Sequence, residues 1–444
     1  LADNDRLLSI IERITDPRIN LTDKNTIDPD GLPLPALTNV GMGTVFEELL
    51  RRFNEENNEE AGEHFTPRDA ISLLAHLVFE PVKEDLPKII TLYDPACGSG
   101  GMLTESREYL LDLGVRSAAI QLSGTEINPE TYAICKSDLI IKGVDPSGIH
   151  WGNTITDNSF SDKSFGYMIT NPPYGKSWKE DKKKIYHEKM LLDHRFELTL
   201  TNYVGEEEVL DSTPRTSDGQ LLFLLEEVDK MKPLEFQPQG SRIASIHNGS
   251  SLFTGDAGSG ESNIRRYLIE KDLVEAIIQL PNNIFYNTGI STYVWMLTNK
   301  KKDNRKGKVQ LIDASQAFEK LRKNQGSRNC TIEPYRTDIL RVYTDFVEQE
   351  ANEELKVGSK IFDDDDFRYY NVTIERPLRL RCQFNSLKID EMLYDSSDIE
   401  VSKWLYNTYK DRVFSGLDSE IPAIKEYLND QEIKITDKKL NKLI

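Results

Sequence analysis

Apolar residues along the chain follow two different periods. Short, largely apolar runs bounded by Gly, Pro, Asn or Asp occur at Ile89–Tyr93, Ile120–Glu126, Ile149–Thr154, Phe165–Thr170, Arg242–Ile246, Val274–Leu280 and Thr292–Thr298. Such runs read as buried strands. Between most of them the apolar residues recur every three or four positions, which predicts helices. These are expected after Thr66-Pro67 (Ile71, Leu74, Ala75, Val78), over Met102–Leu113, after Asn128-Pro129, over Gln220–Met231 and over Asn263–Lys271. Thr66 followed by Pro67 has the form of an N-cap with proline at the first helical position. No helix fits between the sixth and seventh runs, so these two are expected to pair antiparallel. Val309–Asp313 predicts one more strand at the sheet edge. Strands alternating with helices predict an α/β domain on a mainly parallel sheet.

The pattern changes at both ends and once in the middle. Residues 1–60 carry helix-like patches (Leu7, Leu8, Ile10, Ile11, Ile14, then Val45, Phe46, Leu49, Leu50, Phe53) around a polar, turn-rich Asp28–Pro35. Residues 61–375 hold the strand–helix alternation. Residues 176–218 interrupt it as a long polar insertion containing Trp178, the Lys179–Lys184 run and Arg195. Its basic and aromatic residues are candidates for a phosphate-backbone contact, against the plainer reading of a solvated face. Residues 376–444 read as a helical region, with segments at Ile389–Leu393, Val401–Tyr409 and Ile421–Leu428. The acidic run Asp363–Asp366 lacks an oxygen-ligand pattern with a turn glycine and reads as solvated.

Charge narrows the choice of partners. Against 55 Lys and Arg stand 74 Asp and Glu, a net charge of −19 over 444 residues. Phosphate neutralisation drives nucleic-acid binding, so any such contact must be local or supplied by a partner. The cysteines Cys97, Cys135, Cys330 and Cys382 form no pair with metal-ligand spacing, and no metal is expected. They suit a reducing cytosol. No run reaches 18 apolar residues and no signal peptide is recognisable, so a cytoplasmic location without a membrane is expected.

The strand ends carry the chemistry. Asp94-Pro-Ala-Cys-Gly-Ser-Gly-Gly101 follows the first strand and opens a helix, a place where glycines permit a tight turn and close approach of a ligand. It lacks the Gly-Lys-Ser/Thr ending of a triphosphate loop. The second strand ends in Glu126, at a distance suited to a ribose-binding carboxylate. The third ends in a polar cluster with Asn153, Thr154 and Asp157. The fourth ends in Asn171-Pro172-Pro173-Tyr174-Gly175, where two prolines forbid further ladder bonds. Asn171 offers a carbonyl acceptor, Pro172 a fixed main-chain carbonyl and Tyr174 a stacking face. Together they suit a planar group bearing an exocyclic amine; taken alone, the peptide is equally a strand-ending turn. Gly255–Ser262 has triphosphate-loop spacing, but Glu261 replaces the lysine, so it reads as a flexible loop capping the next helix. No Pro-Cys dipeptide exists, which argues against chemistry through a cysteine nucleophile at cytosine C5.

With these motifs in order, the chain resembles S-adenosylmethionine-dependent amino-methylating DNA methyltransferases. In detail it resembles the modification subunit of type I restriction-modification systems. The matching stretches are Glu63–Arg68, Asp94–Gly101, Gly124–Ile134, Asn171–Gly175, Ile264–Leu297 and Arg376–Leu380. The resemblance implies a Rossmann-like seven-stranded methyltransferase sheet with the last strand antiparallel, flanked by N- and C-terminal helical segments. Residues 1–60 would then be the remnant of a larger helical domain, and 376–444 would dock other subunits. It implies S-adenosyl-L-methionine held by Glu63, His64, Phe65, Thr66, Pro67 and Arg68, by Asp94, Ala96, Ser99, Gly100 and Gly101, and by Glu126 and Ile127. Asn153, Asp157 and Asn171 complete that set. Asn171, Pro172, Pro173 and Tyr174 would be catalytic toward a flipped adenine, at N6 in preference to cytosine N4. The implied partners are double-stranded DNA, a specificity subunit, a second copy of this chain and a separate restriction and translocase subunit. Methylation of RNA or of a protein glutamine, and a non-catalytic assembly role, are the competing readings.

Overall fold

The computed structural model describes residues 12–13, 15–22, 24–37, 66–187, 190–201, 204–286, 288–369, 382–383, 396–410, 413–414, 421–438 and 440. The chain divides into two compact units, Leu1–Tyr370 and Asn371–Ile444. The helix-like patches at 7–14 and 45–53 fall almost wholly outside the described residues, as do Glu63, His64, Phe65, 376–380 and 389–393. Near the N-terminus Thr26–Ile27 pairs with Pro33–Leu34 in a small hairpin.

The first unit is built on a nine-stranded sheet. Its strands are β1 (Ile90–Asp94), β2 (Ile120–Glu126), β3 (Ile149–Trp151), β4 (Tyr167–Thr170), β5 (Arg242–Asn248), β6 (Val274–Gln279), β7 (Thr292–Thr298), β8 (Lys308–Asp313) and β9 (Gly358–Asp363). They lie in the order β9-β8-β6-β7-β5-β4-β1-β2-β3. β7 runs antiparallel to both β5 and β6, and β9 antiparallel to β8. The other neighbours are parallel. The expected seven strands are therefore present, with β7 wedged antiparallel between β5 and β6. Two further strands extend the sheet beyond β6. β8 is not the edge, as expected, because Gly358–Asp363 covers it; that segment has too few apolar residues to stand out as a strand. The third strand ends at Trp151 instead of Thr154, so Asn153 and Thr154 lie in the loop that follows.

Helices cover both faces of the sheet: α1 (Arg68–Phe79), α2 (Gly101–Asp112), α3 (Pro129–Ile141), α4 (Lys179–Ile185), α5 (Gln220–Asp229), α6 (Gly260–Glu270) and α7 (Arg336–Asp345). The strands sort their side chains by the pleat. Tyr167, Ile169, Ala244 and Ile246 join one core with Leu73, Leu77, Leu103, Leu139 and Val342. Met168, Ile243 and Trp295 join the other with Leu221, Leu225, Ile264 and Leu268. The insertion belongs to this second core, since Trp178, Ile185, Phe196, Leu198, Leu200 and Leu210 are all buried in it. Burying each such side chain contributes roughly 1.5–3 kcal/mol.

The caps differ from expectation in one place. Asn128 caps α3, accepting from the amides of Glu130 and Thr131 at 2.9 and 3.1 Å. Thr66 does not cap α1; Pro67 occupies the N-cap position and no side chain caps that end. The Gly255–Ser262 segment is also not a free loop. α6 begins at Gly260, where a Cβ would lie 1.8 Å from the carbonyl oxygen of Thr213. Glu261 accepts from the Arg215 amide at 2.9 Å.

In the second unit α8 (Ser396–Tyr409) and α9 (Ile421–Asp430) bury Val401, Leu405, Tyr409, Ile424 and Leu428. Trp404 stacks on Tyr427 with ring centres 3.9 Å apart. Among the described residues no helix is long and apolar enough to cross a membrane.

Candidate active site

β1 lies between β2 and β4, so the chain leaves β1 toward one side of the sheet and later returns on the other. In open α/β sheets the crevice at this switch point, outside the carboxyl ends of the strands, is where ligands bind. Four strand ends meet there.

β1 ends in Asp94, whose carboxylate is buried. Oδ1 accepts from Thr170 Oγ1 at 2.6 Å and from the Ala96 amide at 3.0 Å. Burial nevertheless wins over these bonds and pushes the carboxyl up to about 7. An unfolded Asp titrates near about 3.9. The stability that protonated Asp94 contributes is therefore complete below that value and is lost as pH rises to about 7. Asp94→Asn keeps an oxygen for Thr170 and Ala96 but cannot ionise. It should gain stability relative to the parent between pH 5 and pH 8, by up to roughly 4 kcal/mol. Urea unfolding midpoints across that range test this, and a pH-independent difference would refute it.

The glycine turn follows. Gly98 and Gly100 have φ of 53° and 86°. A Cβ on Gly100 would stand 2.8 Å from Cys135 Sγ, and one on Gly124 would stand 2.9 Å from Cys97 Cβ. The turn is pressed onto α3 and β2 so closely that only glycine fits. Gly101 starts α2, while Ser99 and Ala96 are half-buried beside it.

β2 ends in Glu126. Oε2 accepts from the Gly98 amide at 3.0 Å and Oε1 from the Asn128 amide at 2.7 Å. The acid is thus fixed against the glycine turn. Next to it Ile127 is 61% exposed and Trp151, at the end of β3, is 63% exposed. The indole Nε1 donates to the Ile127 carbonyl at 3.0 Å. An apolar surface left open next to an oriented acid suits a nucleoside: the acid takes the sugar and the flat face takes the base. Trp151 was missed by sequence reasoning, which placed it inside a strand.

Asn153 and Asp157 bind one another before anything else. The Asn153 amide donates to Asp157 Oδ2 at 3.0 Å, which holds that carboxylate below its ordinary range. The Asn153 side chain donates to Asp181 of α4 at 2.8 Å. The Gly152 amide donates to the Glu126 carbonyl at 3.0 Å, so the loop sits next to the acid.

β4 ends in Asn171. Its Nδ2 donates to Thr66 Oγ1 at 3.0 Å. Its Oδ1 is buried and has no partner among the described residues. An unmet buried acceptor is costly, about 1–3 kcal/mol, and calls for an explanation. Pro172 is buried and Pro173 exposed. Tyr174 is half-buried, and burial pushes its hydroxyl up to about 12, so it remains neutral. Gly175, at φ 71°, donates its amide to Asp218 Oδ1 at 3.0 Å. Asp218 also accepts from Ser250 and Gln220 at 2.7 Å each. Gln220 reaches His247 and Asn248 at the end of β5. Burial pushes His247 down to about 3, so it is a neutral member of this network. Asp218, Gln220 and His247 carry no motif and were not anticipated.

Pro67 is buried, and Arg68 lies on the surface with Nε 3.6 Å from Glu105. The insertion does not present Trp178 and Arg195 to solvent, so neither the solvated-face reading nor the phosphate-contact candidate holds for these two residues. Trp178 is buried and donates to the Arg215 carbonyl at 2.9 Å. Arg195 is buried between Asp193 and Glu226. Apolar and paired surroundings made both more favourable inside than out. Among the described residues no group of His, Cys, Asp and Glu could hold a metal.

A sheet of this order, with β7 antiparallel and a glycine turn, an oriented acid and an Asn-Pro-Pro-Tyr end at its switch point, defines a methyltransferase domain of the Rossmann-like class. The chain belongs to the N-6 DNA Methylase family, whose model matches residues 39–379. It is 28% identical over 285 residues to a type I restriction enzyme methylase subunit of Methanocaldococcus jannaschii, spanning 64% of this chain and 46% of that one. It is 26% identical over 328 residues to the HindI methylase subunit of Haemophilus influenzae, spanning 71% and 66%. A type I restriction-modification methyltransferase subunit from Streptococcus thermophilus shares the fold, with TM-score 0.54 and 24% identity over 68% of this chain and 56% of that one. The chain spans about half to two thirds of the length of these curated relatives. Fold and family imply S-adenosylmethionine as methyl donor. The residues present fit that molecule: a glycine cradle that a Cβ would fill, an oriented acid and an open apolar face.

Proposed function

We propose that this chain is the modification subunit of a type I restriction-modification system and methylates N6 of adenine in double-stranded DNA. The observation that carries this reading is the buried Oδ1 of Asn171, which has no partner among the described residues and is oriented by the bond from its own Nδ2 to Thr66. An amine N–H is the donor that such an oxygen lacks. When bound, S-adenosylmethionine supplies an electrophilic methyl group on a sulfonium. Asp94, Ala96, Ser99, Gly100 and Gly101 would hold its amino-acid part, with Thr66 to Arg68 beside it. Glu126 would accept from the ribose hydroxyls, and Ile127 with Trp151 would hold the base.

The target adenine must leave the duplex to enter this crevice. Its amine is a weak nucleophile because the nitrogen lone pair is delocalised into the ring. Asn171 Oδ1 and the Pro172 carbonyl each accept one N–H. Those two bonds favour a pyramidal nitrogen and turn its lone pair away from the ring. Tyr174 stacks on the base, contributing about 1–3 kcal/mol. The net charge of −19 favours a separate specificity subunit as the source of sequence recognition. A second copy of this chain and a restriction and translocase subunit complete the proposed assembly.

Transfer of tritiated methyl from S-adenosylmethionine tests the reading. Purified with its specificity subunit, the chain should label duplex DNA at adenine and leave RNA and protein unlabelled. Label in RNA or in a protein glutamine, or no label with intact cofactor binding, would overturn it.

A further inference from the structure

We infer that the hairpin Glu319–Thr331 is a DNA-backbone clamp at the rim of the active-site crevice, with Lys320, Arg322 and Lys323 as its phosphate contacts. The inference rests on the DNA substrate proposed above. Its strands are Glu319–Gln325 and Arg328–Thr331, paired antiparallel. Lys320, Arg322 and Lys323 are exposed, and no ion pair engages them among the described residues. Glu319 is the only acid in the hairpin. In a chain of net charge −19, this groups three exposed cations on one short element.

Position gives them meaning. Asp69, in the first turn of α1, fastens the hairpin at both ends, through Arg328 beside its turn and through Thr331 at its base. Asp69 Oδ1 lies 2.8 Å from Arg328 Nη2. Its Oδ2 accepts from Thr331 Oγ1 at 2.6 Å and from the Ile332 amide at 3.1 Å. Asp69 is three residues from Thr66, the partner of Asn171. Three residues span at most about 10 Å, so this anchor lies within that distance of Thr66, which holds the Asn171 side chain. The tip is fastened to the loop after β6. The Ser327 amide donates to the Tyr286 carbonyl at 2.8 Å, and Arg328 Nη1 lies 3.2 Å from the Tyr286 hydroxyl. Both anchors are at the carboxyl edge of the sheet, where a flipped base would enter.

The lysine run of the insertion is a weaker candidate on the same grounds. Lys183 is paired with Glu180 at 2.7 Å, and Lys182 lies over the rings of Trp178 and Tyr186. Among the described residues the hairpin cations have no such partners. A duplex laid over the crevice would bring its phosphates to them while the target adenine turns inward. Each phosphate neutralised releases condensed counterions, which gives such contacts a signature in salt dependence.

The test is a variant with Lys320→Gln, Arg322→Gln and Lys323→Gln in the full chain, assembled with its specificity subunit. Duplex binding is measured from 50 to 300 mM salt, alongside S-adenosylmethionine calorimetry and thermal unfolding. The plot of log K against log salt should flatten by about 2–3, with binding on the order of 100-fold weaker at 0.1 M salt. Cofactor affinity and melting temperature should not change. Neutralising Lys88, Lys302 and Lys306, at the opposite edge of the sheet, should leave the slope as it was. An unchanged slope in the hairpin variant, or an equal loss in the control, overturns the inference. Loss of subunit assembly in the hairpin variant would make the surface a protein contact and overturn it too. If the parent assembly neither binds nor methylates duplex DNA, the DNA reading itself has failed, which is a separate result.

Discussion

Replacing Asn171 by Ala should lower methyl transfer by about 10³-fold while S-adenosylmethionine still binds. The side chain has two ends with different tasks. Nδ2 is held by Thr66, and Oδ1 is left buried without a partner among the described residues. Ala removes the acceptor that orients the amine and leaves a gap where the base edge should rest. The cofactor-facing groups proposed here, Asp94, the glycine turn and Glu126, belong to other strand ends and keep their bonds. Calorimetry should therefore show cofactor affinity within a few-fold of the parent. Single-turnover methylation should show the loss. Thr66→Val tests the orienting role separately: it frees the Asn171 amide, and a smaller fall in rate of about tenfold is expected. Near-normal turnover of Asn171→Ala would place the amine acceptor elsewhere and defeat the mechanism.

Arg195→Ala should destabilise the first unit by about 3–5 kcal/mol. The guanidinium is fully buried and makes bonds in several directions. Nη1 donates to the Thr154 carbonyl at 2.7 Å and to Glu226 at 2.8 Å. Nη2 donates to the Ile155 carbonyl at 2.9 Å, and Nε to Asp193 at 3.0 Å. Its removal leaves Glu226 with the Tyr93 hydroxyl and no cation, and leaves two loop carbonyls without their donor. Those carbonyls belong to the Asn153–Asp157 loop, so methyl transfer should fall with stability. Arg195→Lys should not restore it, because one ammonium cannot reproduce a planar fork spread over four acceptors. Denaturant unfolding of the three proteins tests both statements. A loss under about 1 kcal/mol in Arg195→Ala would mean that the pair behaves as a surface ion pair.

Arg195 also shows why part of this structure could not be read in advance. In the sequence it is one basic residue in a polar insertion, and a polar insertion suggests a solvated or phosphate-facing surface. Apart from Asp193, two residues away, its partners in the fold come from segments about 30 to 40 residues away. The same holds for Trp178: nothing local indicates that Thr216 and Arg215 fold back over it. Asp218, Gln220 and His247 hold the Asn-Pro-Pro-Tyr turn in place without any motif. Trp151 belongs to the crevice through the bond from its indole to the Ile127 carbonyl, a contact that no local pattern encodes.

What the chain declared by itself was local. Apolar periodicity marks where backbone must be buried as strand or helix, and consecutive prolines or glycines mark where a strand must stop or turn. That was enough for eight of the nine strands, the antiparallel β7 and the residue types at the ends of β1, β2 and β4. Tertiary structure decided which polar groups meet: Thr66 with Asn171, Arg195 with Glu226, and the basic hairpin with Asp69. A hydrogen bond between residues over 100 or 250 positions apart leaves no period in the sequence, because it depends on how sheet and helices stack and not on the order of residues along either segment.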